Sequence, residues 1–241
     1  MKKAALIVAG LFFALTLTAQ ESTTTLAGNG NIVKEKRDVS NFTKICVTGS
    51  FEVCLTSGDI GKVSLEGDEN ILAIINIKVV NGTLTITTEN NVNVRPSRTN
   101  KIKIKVPVQL LDTISLNGCG SITSKTTIKN MKLKVTLDGP GSIAIPVDTT
   151  EATAWILGSG TISLNGITEN FNCRISGSGT IEASGLEAKQ VSASISGSGD
   201  AKVNSTLALT GRIIGTGNIA FAGEPKQTDL KYMGNGTFSW E

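Results

Sequence analysis

Seven Gly-x-Gly pairs at near-regular intervals punctuate the chain from Gly118 onward: Gly118/Gly120, Gly139/Gly141, Gly158/Gly160, Gly177/Gly179, Gly197/Gly199, Gly215/Gly217 and Gly234/Gly236. Their first members lie 21, 19, 19, 20, 18 and 19 residues apart. A period near twenty marks a stacked array in which each unit packs only against its neighbours.

Aligned on the first glycine, three columns are apolar. Two residues before it stand Leu116, Leu137, Ile156, Ile175, Ile195, Ile213 and Tyr232; four after it stand Ile122, Ile143, Ile162, Ile181, Ala201, Ile219 and Phe238. Six after it, Ser124 is followed by Ile145, Leu164, Ala183, Val203, Phe221 and Trp240. The positions between are mostly Ser, Thr, Asn, Lys or Glu, which is the alternation of strands with one buried face.

Each repeat therefore reads as two or three short strands joined by tight turns. One coil cannot cover its own apolar face, but coils stacked about 4.8 Å apart share backbone hydrogen bonds and bury a continuous ladder. The expected fold is all-β, a right-handed parallel β-helix (β-solenoid) with a period of about 19 residues. In the last coil, Tyr232, Phe238 and Trp240 are expected to turn inward and plug the open end.

Residues 111–241 carry the regular repeats, and residues 20–110 continue the theme less regularly. "LAGNGNI" repeats the turn at Gly28 and Gly30, "VTGSFEVCL" repeats it at Gly49, and "VSLEGDENI" around Gly67 fits two columns. "IKVVNGTLTITT" predicts a hairpin through Asn81 and Gly82. One elongated domain over 20–241 is the expectation, with a division near residue 95 as the alternative.

The segment Phe42 to Val53, "FTKICVTGSFEV", followed by the hairpin, the "KIKIKVPV" strand and the serial Gly-x-Gly turns, resembles the putative auto-transporter adhesin head GIN domain family of secreted bacterial proteins, common in the Bacteroidetes. The likeness runs from about Phe42 to Ala222. It implies a right-handed parallel β-helix and an extracytoplasmic location, and brings no catalytic or ligand-binding residues with it.

The first residues agree with export. Lys2 and Lys3 precede an apolar run from Ala4 to Leu17, with Thr18 and Ala19 after it, so residues 1–19 are expected to be a cleaved signal peptide. The destination would be the periplasm, the outer-membrane surface or the outside. Removing the two lysines lowers the formal charge from +3 to +1, which leaves no electrostatic case for nucleic acid.

The chain has no histidine. Ser-His-Asp and Cys-His catalysis and the commonest zinc sites are thereby excluded. The glycine pairs are not followed by Gly-Lys-Ser/Thr, so they read as turns and not as phosphate loops. Asp138 and Asp200 adjoin glycine pairs, but the repeated Gly-Gly-x-Gly-x-Asp of calcium-binding solenoids is missing. No metal or cofactor is expected.

Candidate acids for a carbohydrate-active β-helix enzyme are Glu52, Asp59, Glu66, Asp68, Glu69 and Glu182, without the long loops that would wall a catalytic groove. The alternating lysines of "KIKIKV" read as a solvated face or a protected edge, the alternative being a basic patch for anionic glycans or lipid. Cys46 and Cys54 are candidates for a disulfide, Cys173 for a buried thiol, and Cys119 has no evident partner. Function is expected to be non-enzymatic: an adhesin-like surface or envelope module whose partner would be a cell-surface glycan or protein.

Overall fold

The computed structural model describes residues 25–89, 92–97 and 101–241; the expected leader lies outside the described residues. The chain is nearly all β, a solenoid of about 7 turns with a period of about 19 residues. Four of its strands, Ser142–Gly158, Thr161–Gly177, Thr180–Gly197 and Asp200–Gly215, each trace almost a full coil. They stack parallel, with Ile143 on Ile162, Ile162 on Ile181, and Ile181 on Ala201.

The short strands expected from the sequence are thus single strands of 16 to 18 residues, broken only at the glycine turn. The other corners bend within the ladder. At one of them Thr149 Oγ1 donates to Thr168 Oγ1 at 3.1 Å, and further along Ser205 Oγ donates to the Ala208 carbonyl at 2.9 Å. Small side chains that bond to each other or to the backbone satisfy these buried polar groups where the chain turns. The uneven repeat length is absorbed near the same corners, where the register shifts between Ser163 and Gly166 and between Ala183 and Glu187.

The two glycines of a pair serve different needs. Gly158 has φ +113, which L side chains rarely adopt. Gly160 has no such φ, but a Cβ there would lie 2.5 Å from the Gly141 carbonyl oxygen and 2.5 Å from Leu137 Cδ2. The first glycine turns the chain; the second lets one coil approach the next.

Inside the stack the columns are as expected: Leu116, Leu137, Ile156, Ile175, Ile195 and Ile213 are all fully buried, as are Ile122, Ile143, Ile162, Ile181 and Ile219. Each large aliphatic chain so buried contributes roughly 1.5–3 kcal/mol. The Gly49 turn joins this stack, its amide donating to the Asn117 carbonyl at 2.9 Å.

Upstream segments depart from the repeat. Gly28 and Gly30 belong to no coil: Thr25–Ala27 pairs with Asn93–Arg95 in a separate two-stranded sheet. Lys62–Asp68 runs antiparallel to Ile32–Asp38, and Ile75–Val80 forms the Asn81-Gly82 hairpin with Thr83–Thr88. These antiparallel strands close the N-terminal end of the stack.

At the other end Tyr232 and Trp240 stand in register with Ile213 and Phe221 yet are 66% and 69% exposed. Their columns have no further described coil to close over them. Only Phe238 packs inward, its ring filling the space left by Gly211, where a Cβ would sit 2.5 Å from the ring.

Gly160→Ala should lower the unfolding free energy by about 1–3 kcal/mol, since the added methyl meets backbone. Gly185→Ala, where a Cβ would meet nothing nearer than 3.4 Å, should stay within about 0.5 kcal/mol of the parent. Equilibrium denaturant unfolding of both variants checks the contrast.

Candidate functional site

The alternation in Lys103–Pro107 buries Ile104 and Val106 and turns Lys103 and Lys105 outward. This strand is not an edge. It lies between Glu52–Thr56, which it meets in parallel, and Lys62–Asp68, which it meets antiparallel. The lysines therefore do not serve as edge protection.

Beyond Lys62–Asp68 lies Ile32–Asp38, the true edge, with Lys34 opposite Glu66 and Lys36 opposite Ser64. Two outward rows result. One runs Lys34, Glu66, Lys103, Glu52, Ser121; the other runs Lys36, Ser64, Lys105, Cys54, Thr123. Between the lysines the surface dips into a groove of about 470 Å³ lined by Lys34, Lys36, Lys103 and Lys105 with Ser64, Leu65, Glu66 and Glu35, the last of these bonded to Arg37.

The rows differ in charge. In the first, signs alternate, with Lys34 Nζ 3.4 Å from Glu66 and Lys101 Nζ 2.6 Å from Glu52. In the second, Lys36 and Lys105 flank Ser64 with no carboxylate beside them in the row; among the described residues these two lysines, like Lys103, form no ion pair. The edge strand is held from its other face, where Arg37 bonds Glu35 at 2.5 Å and donates to the Leu72 carbonyl at 2.7 Å and to that of Ile75.

The candidate acids do not assemble as a catalytic pair over an enclosed cleft. Asp59 pairs with Lys62 at 3.6 Å and Glu182 with Lys202 at 3.7 Å, while Glu69 accepts from Asn31 Nδ2 at 2.7 Å. Glu52 and Glu66 flank Lys103, each engaged by a lysine of its own. Asp138 and Asp200 belong to no metal-binding group: among the described residues no three His, Cys, Asp or Glu side chains cluster to hold an ion.

Asp68 is fully buried and structural. Its carboxylate accepts the Gly30 amide at 2.8 Å and the Ser97 amide at 3.0 Å, tying together the two loops that flank the small sheet. Burial pushes its pKa up, but hydrogen bonds from Ser97 and Gly30 outweigh this and hold the carboxyl below its usual range.

Cys46 and Cys54 are half-buried free thiols, on strands either side of the Gly49 turn. Cys119 is exposed, with Ser50 Oγ 3.0 Å from its sulfur. Cys173 is buried, and desolvation pushes its thiol up to about 12. Further along the solenoid Trp155, half-buried on the outer surface, has the Lys134 ammonium 5.7 Å from its ring centroid.

Sequence reasoning had found Lys103 and Lys105 but missed Lys34 and Lys36. Their own alternation, "KEK", was the only local signal, and it does not reveal which strand lies beside it.

Fold and surface together define a parallel β-solenoid with a lysine-lined groove near its N-terminal end and hydroxyl-bearing rows running away from it. The chain belongs to the family described as putative auto-transporter adhesin, head GIN domain, whose profile matches residues 41–225. It is similar to a solved putative adhesin from Bacteroides fragilis, at 26% identity and a TM-score of 0.83, over 90% of this chain and 100% of that one.

Two solved proteins from Parabacteroides distasonis share the fold. One is described as a putative lipid binding protein (22% identity, TM-score 0.74) and the other as a putative adhesin (24%, 0.73); in both cases the match covers 90% of this chain and 100% of theirs. No curated protein matches the sequence.

Because the folded pKa of Asp68 is depressed, its contribution to stability is complete above the unfolded value and is lost as pH falls through the folded one. Asp68→Asn should therefore flatten the acid limb of a stability profile below the usual carboxylate range, read by thermal unfolding across pH. In the native protein a thiol reagent should label Cys119 first, and Cys173 only upon unfolding, as peptide mapping would show.

Proposed function

We propose that this chain is an exported, non-enzymatic, adhesin-like module that acts by binding through its outer surface. The observation that carries this is the convergence of Lys34, Lys36, Lys103 and Lys105, from segments about 70 residues apart, on one groove. Three of these lysines form no ion pair among the described residues, Lys34 alone pairing with Glu66; exposed cationic side chains of this kind suit recognition, and family membership favours an adhesive role at the cell surface.

The alternative is an enzyme acting on polysaccharide, for which the Glu66, Lys103, Glu52 row supplies two carboxylates and a cation. Each of these carboxylates already engages a lysine, at 3.4 and 2.6 Å, and the shallow groove beside them is open to water. That arrangement favours binding over turnover.

Export would carry Cys46 and Cys54 into an oxidising compartment, where we propose that they pair; a non-reduced peptide map joining these two of the four cysteines is the expected sign. External protease applied to intact host cells should remove the protein rapidly, followed by antibody. Protection until lysis would overturn the adhesin reading, and release of reducing ends from polysaccharide by the purified chain would replace it with the enzymatic one.

A further inference from the structure

We infer that the groove binds an acidic polysaccharide, one carrying carboxylate or sulfate groups, with an anionic group seated over Ser64 between Lys36 and Lys105. The inference rests on the binding role proposed above and names the ligand class for that surface.

Lys36, Ser64 and Lys105 occupy one outward row on three adjacent strands, so the two ammonium stems rise about 9.6 Å apart with a hydroxyl midway. An oxyanion above the hydroxyl can accept from Ser64 and from both flexible lysines, which are point donors able to converge on it. Lys34 and Lys103 carry further positive charge along the groove, and Glu66 and Glu52 offset part of it in the neighbouring row. Lys103 stands between these two carboxylates, whereas Lys105 stands between Ser64 and Cys54, so the charge least offset by its neighbours lies on the Lys36, Ser64, Lys105 row.

The same sheet face also supplies hydrogen-bonding groups for the uncharged part of a sugar chain. From Lys103 and Glu52 the first row continues through Ser121, Ser142, Thr161 and Thr180 to Asp200, Asn218 and Thr237. Its members are spaced at the interstrand distance of about 4.8 Å, comparable to the advance of an extended hexose chain per residue. Near the far end the row is already ordered, Asn218 Nδ2 donating to Asp200 at 2.8 Å and Thr237 Oγ1 to Asn218 at 2.6 Å. A polymer lying along the solenoid axis meets charge at the groove and then the hydroxyls of Ser121, Ser142, Thr161 and Thr180, before Asp200 ends the run.

Two other polyanions fit less well. A bilayer surface calls for apolar side chains to enter it, and on the three lysine-bearing strands Ile32, 40% exposed, is the one large apolar side chain that is exposed. Single-stranded nucleic acid calls for aromatic stacking platforms, and none lines the groove.

The test uses the purified leaderless chain against polygalacturonate and dextran sulfate, with neutral dextran, phosphatidylglycerol vesicles and single-stranded DNA alongside. Binding to at least one acidic polysaccharide, weakened by added salt and absent for neutral dextran, is expected. The double variant Lys36→Glu/Lys105→Glu should weaken it about tenfold or more, and Ser64→Ala less. Lys129→Glu/Lys132→Glu, remote on the solenoid and paired with Asp148 and Glu151, should leave affinity unchanged. Thermal unfolding of each variant establishes that it is folded.

Equal weakening by the remote pair, no weakening by the groove pair, or stronger binding to vesicles or DNA would overturn the inference. Failure here with the protein still removable by external protease ends the groove assignment and leaves the adhesin reading standing. Acidic-polysaccharide binding by a protein protected inside the cell does the reverse.

Discussion

The structure depends on how closely one coil's backbone approaches the next at the glycine turn. There the carbonyl of one coil faces the α-carbon of the following one, at distances a methyl group would violate, as Gly160 shows over Gly141. Amides complete the contact, Thr161 donating to Gly141 at 3.0 Å and Thr180 to Gly160 at 2.9 Å. Once that approach is set, the parallel ladder holds the strands in register, and register alone stacks Ile on Ile inside and Ser or Thr on Ser or Thr outside. The buried columns supply most of the favourable free energy, but the glycines decide that those columns can meet.

Much of the repeat was legible because it is written locally. A residue two before or four after a glycine is buried in every regular coil that has a neighbour on each side, so one alignment predicts the interior of the stack. The long strands were less legible: corners at Thr149, Thr168 and Gly166 are turned inside continuous strands, and Thr or Gly alone is too common to announce a bend. The exposure of Tyr232 and Trp240 escaped for a different reason. Their columns are inward ones, but burial needs a neighbour on both sides, and a column does not say whether another rung follows.

The N-terminal cap was the least legible part, and it holds the candidate site. Gly28 and Gly67 occur in phrases that imitate the repeat, yet Gly28 packs against buried Asp68 and Gly67 sits in an antiparallel strand. Pairing between Lys34, Glu66 and Lys103 joins three segments that no period connects. Lys103 and Lys105 could be read as a solvated face from their own strand alone. Only the cross-strand neighbours, Glu66 and Glu52 beside Lys103 but Ser64 and Cys54 beside Lys105, show where charge is left uncompensated.

Because each regular coil contacts only the coil before and the coil after it, the molecule's length is quantised. Duplicating one coil of about 19 residues would leave every glycine contact, every buried column and the lysine-bearing cap as they are. It would add one more hydroxyl-bearing rung to the outer rows. Selection can in this way adjust how far the polar track reaches from the cap without redesigning the core, so reach and charge are separately heritable properties of one chain.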